Sequence, residues 1–109
     1  RRRDMVVTGG ANVYPAEVEA VITEHPEVLD VVVVGLPDPE WGHRVHAIVQ
    51  AADPSCPPSA EDLRAHCKSR LASYKVPKGY ELVEQIPRTS AGKVNRSALV
   101  EQRTTTSPG

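Results

Sequence analysis

No apolar run in this chain approaches the roughly 20 residues that a helical membrane span needs, and hydrophobic residues make up 39% of the whole. An excess of charge is missing as well. The formal net charge is -1, so there is no electrostatic case for nucleic acid or an anionic membrane surface as a partner. Cysteine is scarce: Cys56 and Cys67 are the only two, which cannot make a disulfide framework, and they show no Cys-x-x-Cys spacing. His66 and Cys67 are neighbours in sequence, so their side chains leave a helix in different directions and do not chelate one ion. A reducing, cytoplasmic setting is expected, with Cys67 packed and Cys56 in a loop. No signal-type apolar segment follows Arg1-Arg2-Arg3-Asp4, and that abrupt opening leads us to expect a piece of a longer protein.

Common catalytic and nucleotide-binding motifs are missing too. A P-loop ending at Gly92-Lys93 would need glycine at position 87, which is Pro87, and no G-x-S-x-G, H-E-x-x-H or G-x-G-x-x-G occurs. No internal repeat is present. His43 and His46 lie three apart near a strand start, with no carboxylate or cysteine to complete a metal site. No metal site is expected.

What is there suits one domain of 109 residues with a modest core. Asp4 to Val7 reads as a short strand halting at Thr8-Gly9-Gly10, where two glycines allow positive φ and close backbone approach. That loop reads either as a plain strand-to-helix turn or as the wall of a narrow channel. Pro15 opens a helix at a position where its missing N–H costs nothing. Val18, Val21, Ile22 and His25 form its buried face, Glu17 and Glu19 are solvated charges, and Pro26 ends it. Val28-Leu29 and Val31-Val32-Val33-Val34 form a β-branched run typical of a strand covered on both faces. A rigid loop, Gly35-Leu36-Pro37-Asp38-Pro39, should follow, and a second strand should run from Val45 to Val49.

Residues 51–59 form a stiff connector, and Ser59 with Asp62 marks a helix start for the stripe Leu63, Cys67 and Leu71. A turn over residues 73–79 holds Tyr74 together with two lysines, Lys75 and Lys78, and a strand from Tyr80 to Val83 points Leu82 inward. Ser97 to Gln102 forms a last short helix, and 104–109 is a disordered tail. Helices and strands alternate over a small core. The expected fold is a compact α+β domain with a central mixed or antiparallel sheet flanked by about three helices.

Three places carry chemistry. Trp41, the one tryptophan, sits in a polar loop and reads equally as a core anchor or a flat stacking surface. Tyr74 beside Lys75 and Lys78 reads as a nucleotide-contact surface or as a lid on the core. Pro87-Arg88-Thr89-Ser90-Ala91-Gly92-Lys93 is an ordered turn ending in one cation. Lys93 is either an ordinary solvated lysine or a group that stabilises charge on a phosphoryl or carboxylate oxygen.

The stretch from Arg3 through Thr8-Gly9-Gly10-Ala11-Asn12 to Tyr14-Pro15-Ala16-Glu17 resembles the opening of the C-terminal domain of adenylate-forming enzymes. Gly35-Leu36-Pro37-Asp38 with Trp41-Gly42, Tyr74-Lys75-Val76-Pro77, and Pro87 to Lys93 continue the likeness in the same order. It extends over residues 1–102 and is nearest in form to acyl-CoA synthetases, including fatty-acid–CoA ligases. The resemblance implies that residues 1–103 are a mobile C-terminal domain whose large N-terminal adenylating partner domain is absent here. It implies ATP, with Mg2+ held mainly by that other domain, and coenzyme A as reactants, together with a carboxylic acid and product AMP. Lys93 would act in adenylation, Arg3 and Asp4 would form the hinge, and Thr8, Gly9, Gly10, Ala11 and Asn12 would line the pantetheine channel. Trp41, Tyr74 and Lys78 would lie near the CoA nucleotide, and Val76 stands where some relatives carry a basic residue. Acetylation of Lys93, with an acetyltransferase and deacetylase as partners, is a further implication. Other adenylate-forming enzymes, such as a peptide-synthetase activation domain or a luciferase-like oxygenase, remain alternatives, as does a non-catalytic interaction module.

Overall fold

The computed structural model describes residues 5–105. Val6–Thr8 (β1) and Ala11–Val13 (β2) form an antiparallel hairpin, followed by helix Pro15–Thr23 (α1). Strands Val28–Asp38 (β3) and Gly42–Ala51 (β4) pair antiparallel. Helix Ala60–Lys68 (α2) then crosses to strand Gly79–Val83 (β5), which runs parallel to β4. Helix Arg96–Thr105 (α3) comes last. The sheet order is β3-β4-β5, a mixed sheet with three helices, as the alternation of apolar patterns predicts.

Period-2 alternation divides the core between the two faces of this sheet. Val31, Val33, Val45, Ala47 and Val49 meet α1, α2 and the hairpin through Val18, Ile22, Leu63, Cys67, Val6 and Val13. Val32, Val34 and Ile48 meet Ile86 and Leu99 on the other side. The middle of β3 is therefore dry on both faces, which is why Val31 to Val34 form an unbroken β-branched run rather than an alternating one. The Cys67 thiol and the Tyr80 hydroxyl lie side by side in the first cluster. Burial pushes both upward from their ordinary pKa values, and the Tyr80 hydroxyl is buried without a partner of hydrogen-bonding geometry. Cys67 is packing, and Cys56 is exposed.

Helix starts follow local chemistry. Pro15 occupies the first turn of α1, and the Ser59 hydroxyl accepts the Asp62 N–H at 3.0 Å to cap α2. Several expectations need correction. Residues 35–38 are the end of β3, not a loop. As an edge strand, β3 tolerates Pro37 opposite His43 because a missing N–H there breaks no ladder bond. Thr8 to Asn12 is a hairpin rather than a loop into a helix, with positive φ at Gly9 and Gly10 as a two-residue type I′ turn requires. Leu82 pairs with buried Val49 but, on the outer strand of the sheet, stays 46% exposed. Helix α3 runs on to Thr105 and so takes in Thr104 and Thr105, which the sequence pattern places in a tail. Glu19 is not a free surface charge, since its Oε2 accepts the Val33 N–H at 2.8 Å and pairs with Arg96 at 2.7 Å.

Candidate functional site

Two separate constellations emerge. The first is built around the hairpin. Its tip is tied to the β3–β4 turn by a bond from the Gly9 N–H to the Trp41 carbonyl (2.9 Å). That turn is set by Asp38, whose Oδ1 accepts the N–H groups of Glu40 and Trp41, both at 2.9 Å. These two backbone bonds, that to Trp41 first, hold the Asp38 carboxyl below the usual carboxylate range.

Trp41 thus lies against Gly9, where a Cβ would come within 2.6 Å of the indole. The Lys78 ammonium sits 4.9 Å from the centre of the same ring, its own backbone N–H bonded to the Val45 carbonyl at 2.8 Å. Trp41 is 43% exposed, so it is not a core anchor. Gly9, Trp41 and Lys78 therefore converge from three separate stretches of chain.

Tyr74 belongs to a short 3-10 turn, Ser73–Lys75, beside β2. It too is exposed, so it is not a lid on the core. Lys75 is ion-paired within the domain. Its Nζ lies 3.0 and 2.9 Å from the two Glu17 oxygens, and Glu17 holds the ammonium above the usual lysine range. Val76 turns into the core. Thr8 is buried while Asn12 and its partner Val7 are exposed, so the hairpin offers outward the Gly9-Gly10 backbone together with Asn12 and Val7.

The second constellation is the Lys93 loop. An isolated bridge pairs Arg88 with Val94. The Thr89 N–H bonds to the Lys93 carbonyl and the Gly92 N–H to the Thr89 carbonyl, both at 2.8 Å. Gly92 takes a positive φ of 81°, which the closing residue of such a turn needs and a β-carbon would strain. Lys93 is exposed, and its ammonium has no hydrogen-bond or ion-pair partner among the described residues. Flanking residues Ile86 and Val94 pack on the Val32/Ile48 side of the sheet, opposite the side on which Val6 and Val13 carry the hairpin.

Arg3 and Asp4, the expected hinge, lie outside the described residues. A groove of about 550 Å³ beside Met5, Gly35, His43 and Val100 contains none of the described site residues. One grouping escaped the sequence: His25, Glu27 and Asp62 bring potential ligand atoms within 4.8 Å of one another. The His25 Nδ1 already accepts the Glu27 N–H at 3.1 Å, and both carboxylates face solvent. No helix among the described residues is long and apolar enough to cross a membrane.

Residues 17–93 match the family model described as the AMP-binding enzyme C-terminal domain. A 2-succinylbenzoate–CoA ligase of Bacillus licheniformis is 46% identical over 99 residues, which is 91% of this chain and 20% of that protein. A fatty acid–[acyl-carrier-protein] ligase of Streptomyces coeruleorubidus is likewise 46% identical over 99 residues, 91% of this chain and 19% of its own. Among solved structures, a Mycobacterium tuberculosis fatty acyl CoA synthetase superposes with a TM-score of 0.88 at 44% identity, covering 97% of this chain and 21% of that one. The chain thus spans about a fifth of the length of the relatives it matches.

Proposed function

The chain belongs to the AMP-binding enzyme C-terminal domain family, and from that premise we propose that it is the mobile part of an acyl-CoA synthetase, acting with an N-terminal adenylating domain of the same protein. A carboxylate oxygen attacks the α-phosphorus of ATP, the bond to the bridging oxygen breaks, and pyrophosphate leaves. The thiol of coenzyme A then attacks the acyl carbon. A carbon–sulfur bond forms, the bond to the AMP oxygen breaks, and the thiol proton is released. Lys93 supplies a cation to the charge that builds on oxygen in the first step. The glycine hairpin, with Trp41, Tyr74 and Lys78 beside it, receives the CoA thiol arm and nucleotide in the second.

One observation carries this reading: the two constellations lie on opposite faces of one sheet. A single partner surface cannot meet both at once, so the domain turns between half-reactions. The one carboxylate bonded to the Lys93 loop among the described residues, Asp30, is taken by Arg88, so the Mg2+ that accompanies ATP would be held by the other domain. Two free thiols, one of them exposed, suit a reducing cytoplasm. Acetylation of Lys93 by an acetyltransferase, reversed by a deacetylase, would delete its charge and silence the first step alone.

The test is Lys93→Ala in the full-length protein, with the half-reactions assayed separately. Acid-dependent ATP–pyrophosphate exchange should fall roughly a hundredfold or more, while thioester formation from preformed acyl-adenylate is kept. Retention of both steps would reject the assignment. The acceptor is read in the same assay by offering coenzyme A and a carrier protein in parallel, since a carrier-protein ligase is among the relatives.

A further inference from the structure

The Lys93 turn is closed by its own hydrogen bonds, but those bonds do not say where on the domain it points. One side chain does. The Arg88 Nε donates to Asp30 Oδ2 at 2.7 Å and its Nη2 to Asp30 Oδ1 at 2.9 Å. The same Nη2 reaches the Val31 carbonyl at 3.5 Å, and Nη1 donates to the Gly92 carbonyl at 3.0 Å. A single planar guanidinium therefore joins the edge of β3 to the residue just before Lys93.

Asp30 reaches this place through a β-bulge. Val28 pairs with Ala51 and Asp30 with Gln50, leaving Leu29 as the extra residue. The bulge resets the alternation. Val28 packs with the α1/α2 face, while Asp30 is aimed at the face of the Lys93 loop. Its cost is visible in Leu29, which is 60% exposed. The carboxylate is itself held, since Oδ1 also accepts the Val31 N–H at 2.8 Å.

About a third of each partner side chain remains exposed (33% and 30%), and exposed ion pairs contribute little to stability. A bidentate Arg–carboxylate fork, by contrast, fixes orientation strongly. The neighbouring pair, Arg96 with Glu19, ties α3 to α1.

Building on the function proposed above, we propose that Asp30 and Arg88 are positioning residues for adenylation: they orient the turn through the Gly92 carbonyl so that the Lys93 ammonium meets the reacting oxygens. They do not themselves touch substrate. Lysine at 88 keeps the charge but loses the fork, and asparagine at 30 keeps the shape but loses the charge.

The experiment uses the full-length enzyme with Asp30→Asn, Arg88→Lys and Lys93→Ala, measured in both half-reactions alongside thermal midpoints. Asp30→Asn and Arg88→Lys should lower kcat of acid-dependent ATP–pyrophosphate exchange by about tenfold to a hundredfold. The KM for ATP should stay within about threefold, and thioester formation from preformed acyl-adenylate within about twofold. If exchange survives in both variants but is lost in Lys93→Ala, the positioning role is wrong and the Lys93 reading stands. If both half-reactions fall together with the thermal midpoint, the pair is structural only and the proposal is overturned. If Lys93→Ala itself leaves exchange intact, the functional reading falls and this inference with it.

Discussion

Gly9 and Lys93 stand on opposite faces of the same three-stranded sheet, one carried by Val6 and Val13 and the other by Ile86 and Val94. Substitutions on the two faces should therefore separate the two half-reactions. Gly9→Ala is the informative counterpart of the lysine variant. It forces a side chain onto a backbone with φ of 58° and brings a Cβ within 2.6 Å of the Trp41 ring. Thioester formation should fall about tenfold or more while ATP–pyrophosphate exchange is retained. Equal losses in both assays would argue against a face-specific role.

The two glycines of the turn should differ in stability as well. Gly10 has φ of 86°, but its Cβ position is open, with no atom beyond its chain neighbours within 4 Å among the described residues. Gly10→Ala should therefore cost only the left-handed backbone penalty of about 1–2 kcal/mol. Gly9→Ala adds overpacking against Trp41, about 1–3 kcal/mol more. Urea unfolding of the two variants checks the order, and Trp41→Ala should erase most of the difference.

Lys78→Ala removes the cation 4.9 Å from the indole centre. The contact is exposed and is worth about 0.5–1 kcal/mol, so the fold should barely notice. The expected effect is a several-fold rise in KM for coenzyme A with adenylation unchanged. An unchanged KM would remove Lys78 from the nucleotide-contact surface.

Sequence patterning locates the core well because apolar periodicity is set by burial. Val18 and Ile22, Leu63 and Cys67, and the run Val31 to Val34 all lie inside. It fails where pairing partners decide the outcome. Pro37 looks like a strand breaker until β3 is seen to be an edge strand, and Leu82 looks buried until β5 is seen to be the other outer strand. The convergence of Gly9, Trp41 and Lys78 is legible only through the family resemblance, since no spacing in one dimension brings 9, 41 and 78 together. The Arg88–Asp30 fork leaves no signal, because its partners are 58 residues apart and depend on a bulge that strand patterns do not announce.

Glu19 shows how much one misread charge can hold. Its Oε2 accepts the N–H of Val33 on the open edge of β3 and meets Arg96 from α3. Glu19→Ala leaves that edge N–H without its acceptor, at a cost of about 1–3 kcal/mol. Chemical denaturation should show that loss, and a variant within about 0.5 kcal/mol of the parent would mean water replaces the carboxylate freely.

Acid should weaken the domain through two carboxylates. The Arg103 fork, at 2.7 Å to each Glu81 oxygen, is the main cause holding the Glu81 carboxyl below the usual range, with His46 adding to it. Asp30 is lowered in the same sense, first by Arg88. A carboxyl whose folded pKa is depressed contributes stability that is fully present above its unfolded value, about 4, and is lost as pH falls through the folded value. Glu81→Gln, and to a smaller degree Asp30→Asn because its pair is about a third exposed, should therefore lower the thermal midpoint at pH 7 and pH 5, and the gap from the parent should close below about pH 4. The closing gap is the diagnostic, because a variant that merely disturbed packing would keep its deficit at every pH. A constant difference from pH 7 down to pH 3 would show that these carboxylates are not ionised partners of Arg103 and Arg88, and the orientation argument for the Lys93 turn would lose its charged anchor.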